Sequence, residues 1–319
     1  MRLVAADGAL LDRILDHTYP LWHEGLTRKA YAQWNAAQMR TPWGSQHLQR
    51  FALVDASGAL LSTAKRYRFR ARIDGREVSM CGIGALFTPA ERSGRGLARD
   101  LLDMLFVHER AAGVDVAALF SEIGTAFYER LGFHAVPLDE VTIRANAKDG
   151  APAMLVRGGH DGDLAALAAM HDVRSAEARF ALRRDAPLIQ YGVAKKRLLA
   201  GLGPMGLRQV EFHVAEEGGG AVAYVILSTN ANGWTLDEAG DRDPAGARLG
   251  ALLQVLVARE PSKKPPLIRA WWPRSFVVPP QLTMSDRHDA GDVLMMRPLG
   301  DVTIPSSRGD AFYWRGDFF

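Results

Sequence analysis

Leu86-Phe87-Thr88-Pro89-Ala90-Glu91-Arg92-Ser93-Gly94-Arg95-Gly96-Leu97-Ala98 is the stretch whose reading decides the fold. Ahead of it, residues 78–87 are short and mostly apolar, which predicts a buried strand. Behind it, Leu97, Leu101, Leu105 and His108 recur at helical spacing, with Leu102 and Phe106 beside them. A strand, a loop with glycines at 94 and 96, and an immediate helix start would present a fan of backbone N–H groups to a phosphate. Gly94 and Gly96 carry no side chain to hold a diphosphate away from the backbone, and Arg92 and Arg95 add positive charge nearby. The same letters also fit a plain helix start with a flexible cap. Alone, they leave the two readings open.

A second patch separates them. Residues 114–120 read as the next strand, and 126–133 as a short helix ended by Gly132 in a C-cap position. With both patches in this order, the sequence resembles the GCN5-related N-acetyltransferase (GNAT) superfamily. The pyrophosphate loop of that family, Arg/Gln-x-x-Gly-x-Gly/Ala, corresponds to residues 93–98, with Ser93 where Arg or Gln is usual. Its later Phe-Tyr-Glu-Arg/Lys-Leu-Gly-Phe matches residues 127–133. Leu86-Phe87-Thr88, the run 119–124 and the final Tyr-Trp-x-Gly-Asp-x-Phe are further similar to two-domain members, the fungal lysine N-acetyltransferases and the enhanced-intracellular-survival type.

The resemblance implies an α/β (α+β) GNAT fold, a mixed and mostly antiparallel sheet with flanking helices, followed by a second, degenerate GNAT-like domain. It implies acetyl-CoA as donor, held by Leu86, Phe87, Thr88, Ser93, Gly94, Arg95, Gly96, Leu97, Ala98, Ser121, Thr125 and Tyr128. Because the family grips the phosphates mainly through backbone amides, Ser93 implies weakened or rearranged contacts rather than none. Tyr128 stands where the superfamily places the acid that protonates the departing thiolate. A phenol of pKa near 10 suits a thiol of about 8.5. Ser121 is expected near the pantetheine arm or as an ordinary strand-end serine.

Composition bounds the alternatives. At 319 residues the chain is too long for one such domain and suggests two. Its 48% apolar and 24% charged content is that of an ordinary globular protein. A net charge of +3 gives no argument for nucleic acid or a membrane surface as partner. A single cysteine, Cys81, excludes a disulfide framework and a cysteine zinc site, and nine scattered histidines show no ligand spacing, so no metal is expected. No Gly-x-Ser-x-Gly is present, and Cys81 lies in an apolar strand where thiols are inert. Asp7, Asp12, Arg13, Asp16 and His17 argue against a signal peptide, and a cytoplasmic protein is expected. Homo-oligomerisation is left open.

Along the chain, a first strand at 1–5 precedes helical segments carrying Tyr19, Trp22, Trp34 and Trp43. These aromatics fit core packing between helices, or an acceptor pocket attractive to a cationic amine, in which Trp22, Trp34 and Trp43 would bind substrate. A hairpin is predicted with strands at 51–54 and 61–73, and the cations of 65–72 alternate as on a strand with one solvated face. After a strand at 141–144, a loose link at 145–153 marks the boundary, giving domains at 1–147 and 154–300 and a tail at 301–319. In the second domain, a helix from 163 (N-cap Asp161 or Asp163), a hairpin, a strand at 234–239, a helix at 245–259 and a strand at 266–272 repeat the first plan. There, Asp241-Arg242-Asp243-Pro244-Ala245-Gly246 replaces the two-glycine loop and puts carboxylates where phosphates would sit. No CoA is expected at that loop.

The last eight residues hold five aromatics, a tail expected to dock, either as a plug or toward the active site. By the resemblance to two-domain members, the α-carboxylate of Phe319 would accept the proton of the acceptor amine. Glu122 and Asp317 are further candidates for that base. Backbone amides at Phe87 and Thr88 would meet the tetrahedral oxyanion. The expected activity is acetyl transfer to a primary amine, with a small cationic acceptor preferred; the alternative is a non-catalytic acetyl-CoA sensor.

Overall fold

The computed structural model describes residues 1–146, 154–230, 233–260 and 265–319, and divides into two compact units. The first comprises Met1–Val136, Gly291–Ser307 and Phe319; the second, Pro137–Ala290 and Arg308–Phe318.

In the first unit the chain runs β1 (Arg2–Ala5), α1 (Gly8–Trp22), α2 (Arg28–Arg40), α3 (Pro42–His47), β2 (Leu48–Val54), β3 (Leu60–Ile73), β4 (Arg76–Phe87), α4 (Leu97–Ala111), β5 (Val116–Ser121), α5 (Ala126–Glu129) and β6 (His134–Val136). The strand alternation of β2 sorts its side chains by face. Ala52 and Val54 pack with Ile14 of α1, while Phe51 and Leu53 join Leu101, Leu105 and Phe106 of α4 on the other face.

The second unit holds β7 (Asp139–Ala145), β8 (Leu155–Gly158), α6 (Leu164–Ser175), β9 (Phe180–Leu182), α7 (Ala186–Leu202), β10 (Arg208–Glu217), β11 (Gly220–Asn230), β12 (Gly233–Asp241), α8 (Ala247–Arg259), β13 (Ile268–Trp271), β14 (Leu282–Met284) and β15 (His288–Asp289). The chain ends through β16 (Val293–Pro298) and β17 (Ala311–Phe312). The sheet order is β1-β2-β3-β4-β5-β16-β6 in the first unit and β14-β7-β13-β12-β11-β10-β8 in the second. Along these two paths the strands pair antiparallel apart from β4–β5 and β12–β13, and off the first path β9 and β17 also pair in parallel. This is the expected mixed, mostly antiparallel architecture with flanking helices, present twice.

Three features differ from the sequence expectations. The division at 147 and 154 gave the strand at 141–144 to the first domain. Instead β7 pairs with β13, its Val141 and Ile143 enter the second core, and β16 fills the place between β5 and β6. Apolar strands read alike wherever they pair, so the partner is a long-range property. Of the link expected at 145–153, Ala145 ends β7 and residues 147–153 lie outside the described residues. The second feature is the cationic face of β3, which is largely covered. Glu109 of α4, fully buried, receives both Arg66 and Arg68, and only Arg70 stays exposed. Third, Asp163 does not cap α6 with its side chain. Its carboxylate is held by Arg157 and accepts the His160 N–H, while the His160 imidazole accepts the Gly162 N–H.

Candidate active site

The loop before α4 is exposed backbone. Gly94 (φ 75°) and Gly96 (φ 78°) both take left-handed conformations that L side chains rarely adopt, and a Cβ built on either meets nothing within 4 Å. Gly96 occupies the N-cap of α4 with no side-chain cap, so the first-turn amides, which have no intrahelical acceptor, receive none from a capping side chain. Ser93, Gly94, Arg95 and Gly96 are exposed, Ala98 is half-buried, and Leu97 is buried in the cluster beneath. Ser93 anchors the loop by donating its backbone N–H to Ala90 O at 3.1 Å. Uncapped amides, a helix dipole and flanking Arg92 and Arg95 fit a diphosphate.

Beside this loop, β4 and β5 part company. Their parallel register runs from Met80↔Val116 to Ile83↔Leu119 and stops, although β4 continues to Phe87 and β5 to Ser121. In the same place the β3–β4 register slips from Lys65↔Gly84 to Thr63↔Phe87, which inserts one extra residue in β4. Ala85 sits in that bulge at φ 47°. A bulge takes backbone groups out of the ladder and frees them for other partners. Leu86, Phe87 and Thr88 follow it. Ser62 donates to Phe87 O at 2.9 Å and pairs with the Thr88 hydroxyl at 3.1 Å.

The parting strands present different chemistry on their two faces. On the α4 face, Cys81, Ile83 and Leu119 pack in one cluster with Tyr128 of α5. The Tyr128 ring meets Phe127 at 4.9 Å and Phe133 at 5.9 Å. Burial raises its phenol pKa, and the charge of exposed Glu122 raises it further. Thr125 starts this turn through its carbonyl, which accepts the Tyr128 and Glu129 amides, and Gly132 ends it at φ 78° as expected. Ser121 donates to the Gly124 carbonyl, so its hydroxyl proton is used in shaping this turn. Burial pushes the Cys81 thiol up strongly, in keeping with an inert side chain.

On the opposite face lies Phe319. Its ring packs on Tyr67 (5.4 Å), Phe69 (5.1 Å) and Phe120 (5.4 Å). A Cβ at Gly82 would lie 2.8 Å from that ring, and one at Gly84 would lie 3.2 Å from the terminal carboxyl carbon. The two glycines are what let the end of the chain lie against β4. Sequence reasoning passed over them, although Gly-Ile-Gly inside a strand is a signal for close approach of another backbone. It also missed the bulge at Ala85.

The remaining candidates divide. Trp43 is buried and stacks on Phe69 at 5.2 Å, one ring away from Phe319. Trp22 is half-buried and meets Phe87 edge-on at 6.3 Å. Trp34 is buried, with the Lys65 ammonium 5.5 Å over its ring. Asp317 lies in the second unit, buried against Arg184 at 3.3 Å, and burial raises its pKa to about 6. The rest of the tail is docked as expected, with Phe312 and Trp314 in the second core and Tyr313 donating to Asp317 O at 2.9 Å. Among the described residues no group of His, Cys, Asp or Glu could hold a metal ion, and no helix is long and apolar enough to cross a membrane.

Residues 16–136 match the family model described as an acetyltransferase (GNAT) domain. That stretch lies within the first unit, which therefore carries an acetyltransferase (GNAT) domain, and the chain as a whole has two such sheet-and-helix units. Solved structures agree on the fold over nearly all of the chain. A probable N-acyltransferase from Enterococcus faecalis is similar at 14% identity and TM-score 0.66, covering 93% of this chain and 72% of that one. A GCN5-related N-acetyltransferase from Anabaena variabilis gives 10% identity and TM-score 0.69, with 94% and 73% covered. Eis1 from Mycobacterium abscessus gives 14% identity and TM-score 0.58, with 94% and 74% covered. No curated protein sequence matches the chain.

Proposed function

We propose that the chain transfers the acetyl group of acetyl-CoA directly to the primary amine of a small acceptor. The observation that carries this reading is the open, uncapped glycine loop at the start of α4, set beside the point where β4 and β5 separate. In this reading the amides of residues 94–98 hold the diphosphate, with Ser93 contributing only its backbone, and Leu86 to Thr88 line the pantetheine arm. Thr125 and Ser121 shape the turn that carries Tyr128.

Direct transfer needs a neutral amine, a site for negative charge on the carbonyl oxygen, and a proton for the leaving thiolate. The α-carboxylate of Phe319, lying over Gly84, is the acceptor of the amine proton. Glu122, exposed and on the Tyr128 side of the sheet, is better suited to holding Tyr128 protonated than to deprotonating an amine. Amides released by the bulge at Ala85, together with those of Phe87 and Thr88, stabilise the oxyanion. Tyr128 gives its proton to the thiolate. The raised phenol pKa favours that role, because an acid must still hold its proton when the thiolate forms. Amine side and thiol side thus lie on opposite faces of the sheet and meet where the strands part. Trp43, Trp22 and Trp34 serve the acceptor side through Phe69, Phe87 and Lys65 respectively.

The test combines protein, acetyl-CoA and a panel of amines with a thiol reagent that reports free CoA. Release that depends on the amine and falls about 100-fold or more in Tyr128→Phe supports the mechanism. Turnover unchanged in that variant removes Tyr128 from its role. Tight acetyl-CoA binding with no turnover on any amine would favour a sensor.

A further inference from the structure

Arg50 of β2 is only 3% exposed, and both of its terminal nitrogens are buried without a hydrogen-bond partner among the described residues. No salt bridge reaches it there. Burial lowers its pKa, and Tyr31 and Tyr67 are the neighbours that partly offset this. A buried guanidinium with nothing on its fork is costly, and folded chains rarely leave one so. Arg66, the other buried cation of this unit, also has two nitrogens without a hydrogen-bond partner, but its charge is met by Glu109 at 3.7 Å and its remaining nitrogen donates to Gln49 at 2.7 Å.

Position adds to the anomaly. Arg50 shares a face with Ala52 and Val54, the face covered by α1 rather than α4. Its register partner on β3 is Lys65, and the partner of Lys65 on β4 is Gly84. Arg50, Lys65 and Gly84 therefore form one row across three strands, roughly 10 Å long at about 4.8 Å per strand. Phe319's carboxyl group lies at the Gly84 end of that row. An anion at the opposite end of the row would fill the guanidinium fork of Arg50.

We propose that Arg50 binds a carboxylate belonging to the acceptor, so that the site selects amines that also carry a carboxyl group over plain alkylamines and polyamines. This rests on the amine-acylation reading above and names its substrate class. Arg50 acts on binding and orientation, not on the reacting atoms: a planar fork takes a carboxylate in two parallel hydrogen bonds and fixes its direction. The acceptor is then held at both ends, by Arg50 at its carboxylate and by the Phe319 carboxylate at its amine.

Matched pairs that differ only in the carboxyl group test the idea: ornithine against putrescine, and 4-aminobutyrate against propylamine. In the full-length protein, the carboxylate-bearing member should show a kcat/KM higher by roughly 10- to 100-fold, carried mainly by KM. In Arg50→Gln the ratio should fall toward one. Arg50→Lys keeps the charge without the fork and should fall between. A thermal melt of each variant identifies any that fail to fold, and the wild-type ratio stands whether or not they do. Equal rates for both members of a pair in the wild type overturn the proposal. So does a ratio preserved in Arg50→Gln with both rates reduced, which would make Arg50 a support for the terminal carboxylate instead. If no amine is turned over, calorimetry with ornithine and putrescine decides separately. Arg50-dependent binding of ornithine alone upholds the carboxylate site while the transfer reading fails; no binding, or equal binding, overturns it.

Discussion

The two units carry the same local device, a left-handed glycine opening a long helix, in opposite conditions. Gly96 (φ 78°) opens α4 and Gly246 (φ 69°) opens α8, neither with a side-chain cap of its own. Before α4 the space is open. Before α8 it is filled by the chain: the Asp241 carboxylate accepts the Leu249 and Asp243 amides at 2.8 Å each, a Cβ on Gly246 would meet Pro279 at 3.1 Å, and Arg174 donates to the carbonyls of Asp241, Asp243 and Pro244. A helix N-terminus must find negative charge or acceptors somewhere. In the second unit it finds them internally and has nothing left for a ligand. In the first no side chain caps it among the described residues, which leaves it available to an anion.

The largest expected effect is on that open loop. Gly96→Val should abolish measurable acetyl-CoA binding by calorimetry, since a β-branched residue at φ 78° distorts the helix start as well as filling the space. Gly246→Val should leave acetyl-CoA affinity within about twofold and lower only stability. If both variants bind acetyl-CoA alike, the contrast between the loops is wrong. Next comes the chain end. Removal of Phe319, or Gly84→Val to displace it, should cut kcat by about 100-fold or more while the melting temperature falls only a few degrees. A loss of stability in proportion to the loss of turnover would make the tail a plug. Smaller is the effect of Asp241→Asn, which removes one of two good acceptors at the filled helix start. It should cost about 1–2 kcal/mol in a denaturant melt and leave acetyl-CoA binding alone.

Smallest are two pH effects. Asp317 holds its proton more tightly folded (pKa about 6) than unfolded, because burial disfavours its charge. Between about pH 4 and 6 the folded state therefore binds more protons, so this group lowers stability as pH rises through that window. Asp317→Asn should flatten that slope in melts taken across it; an unchanged slope would assign it to another group. The raised phenol of Tyr128 also predicts that kcat shows no alkaline fall from this residue below about pH 10. A fall near pH 8 that vanishes in Tyr128→Phe would contradict the raised value.

Much of the site was legible before any coordinates. Gly94 and Gly96 announce positive φ and open backbone, and residues 127–133 spell a turn that Gly132 ends. Both are local features, fixed within a few residues. Gly82 and Gly84 were visible as letters but not as a meaning, since the ring and carboxyl that need their space come from residue 319. Arg66 and Arg68 read as solvated because nothing nearby in sequence hints at Glu109. Arg50 gave no signal at all: a lone arginine in an apolar strand looks the same whether its head is buried or wet.

The sequence by itself determined most of the elements, the positive-φ glycines of the loop before α4, the tyrosine turn and the acidic residues of that loop's counterpart in the second unit. Each is set by glycine stereochemistry, side-chain periodicity or the sign of nearby charge. Only the tertiary structure decided that β7 and β16 take partners in sheets far from their sequence neighbours, that the terminal phenylalanine lies on Gly82 and Gly84, and that the terminal nitrogens of Arg50 are sealed from water with no hydrogen-bond partner among the described residues. These depend on which distant surfaces exclude solvent together, and hydrophobic burial, being non-directional, writes no local code for that choice.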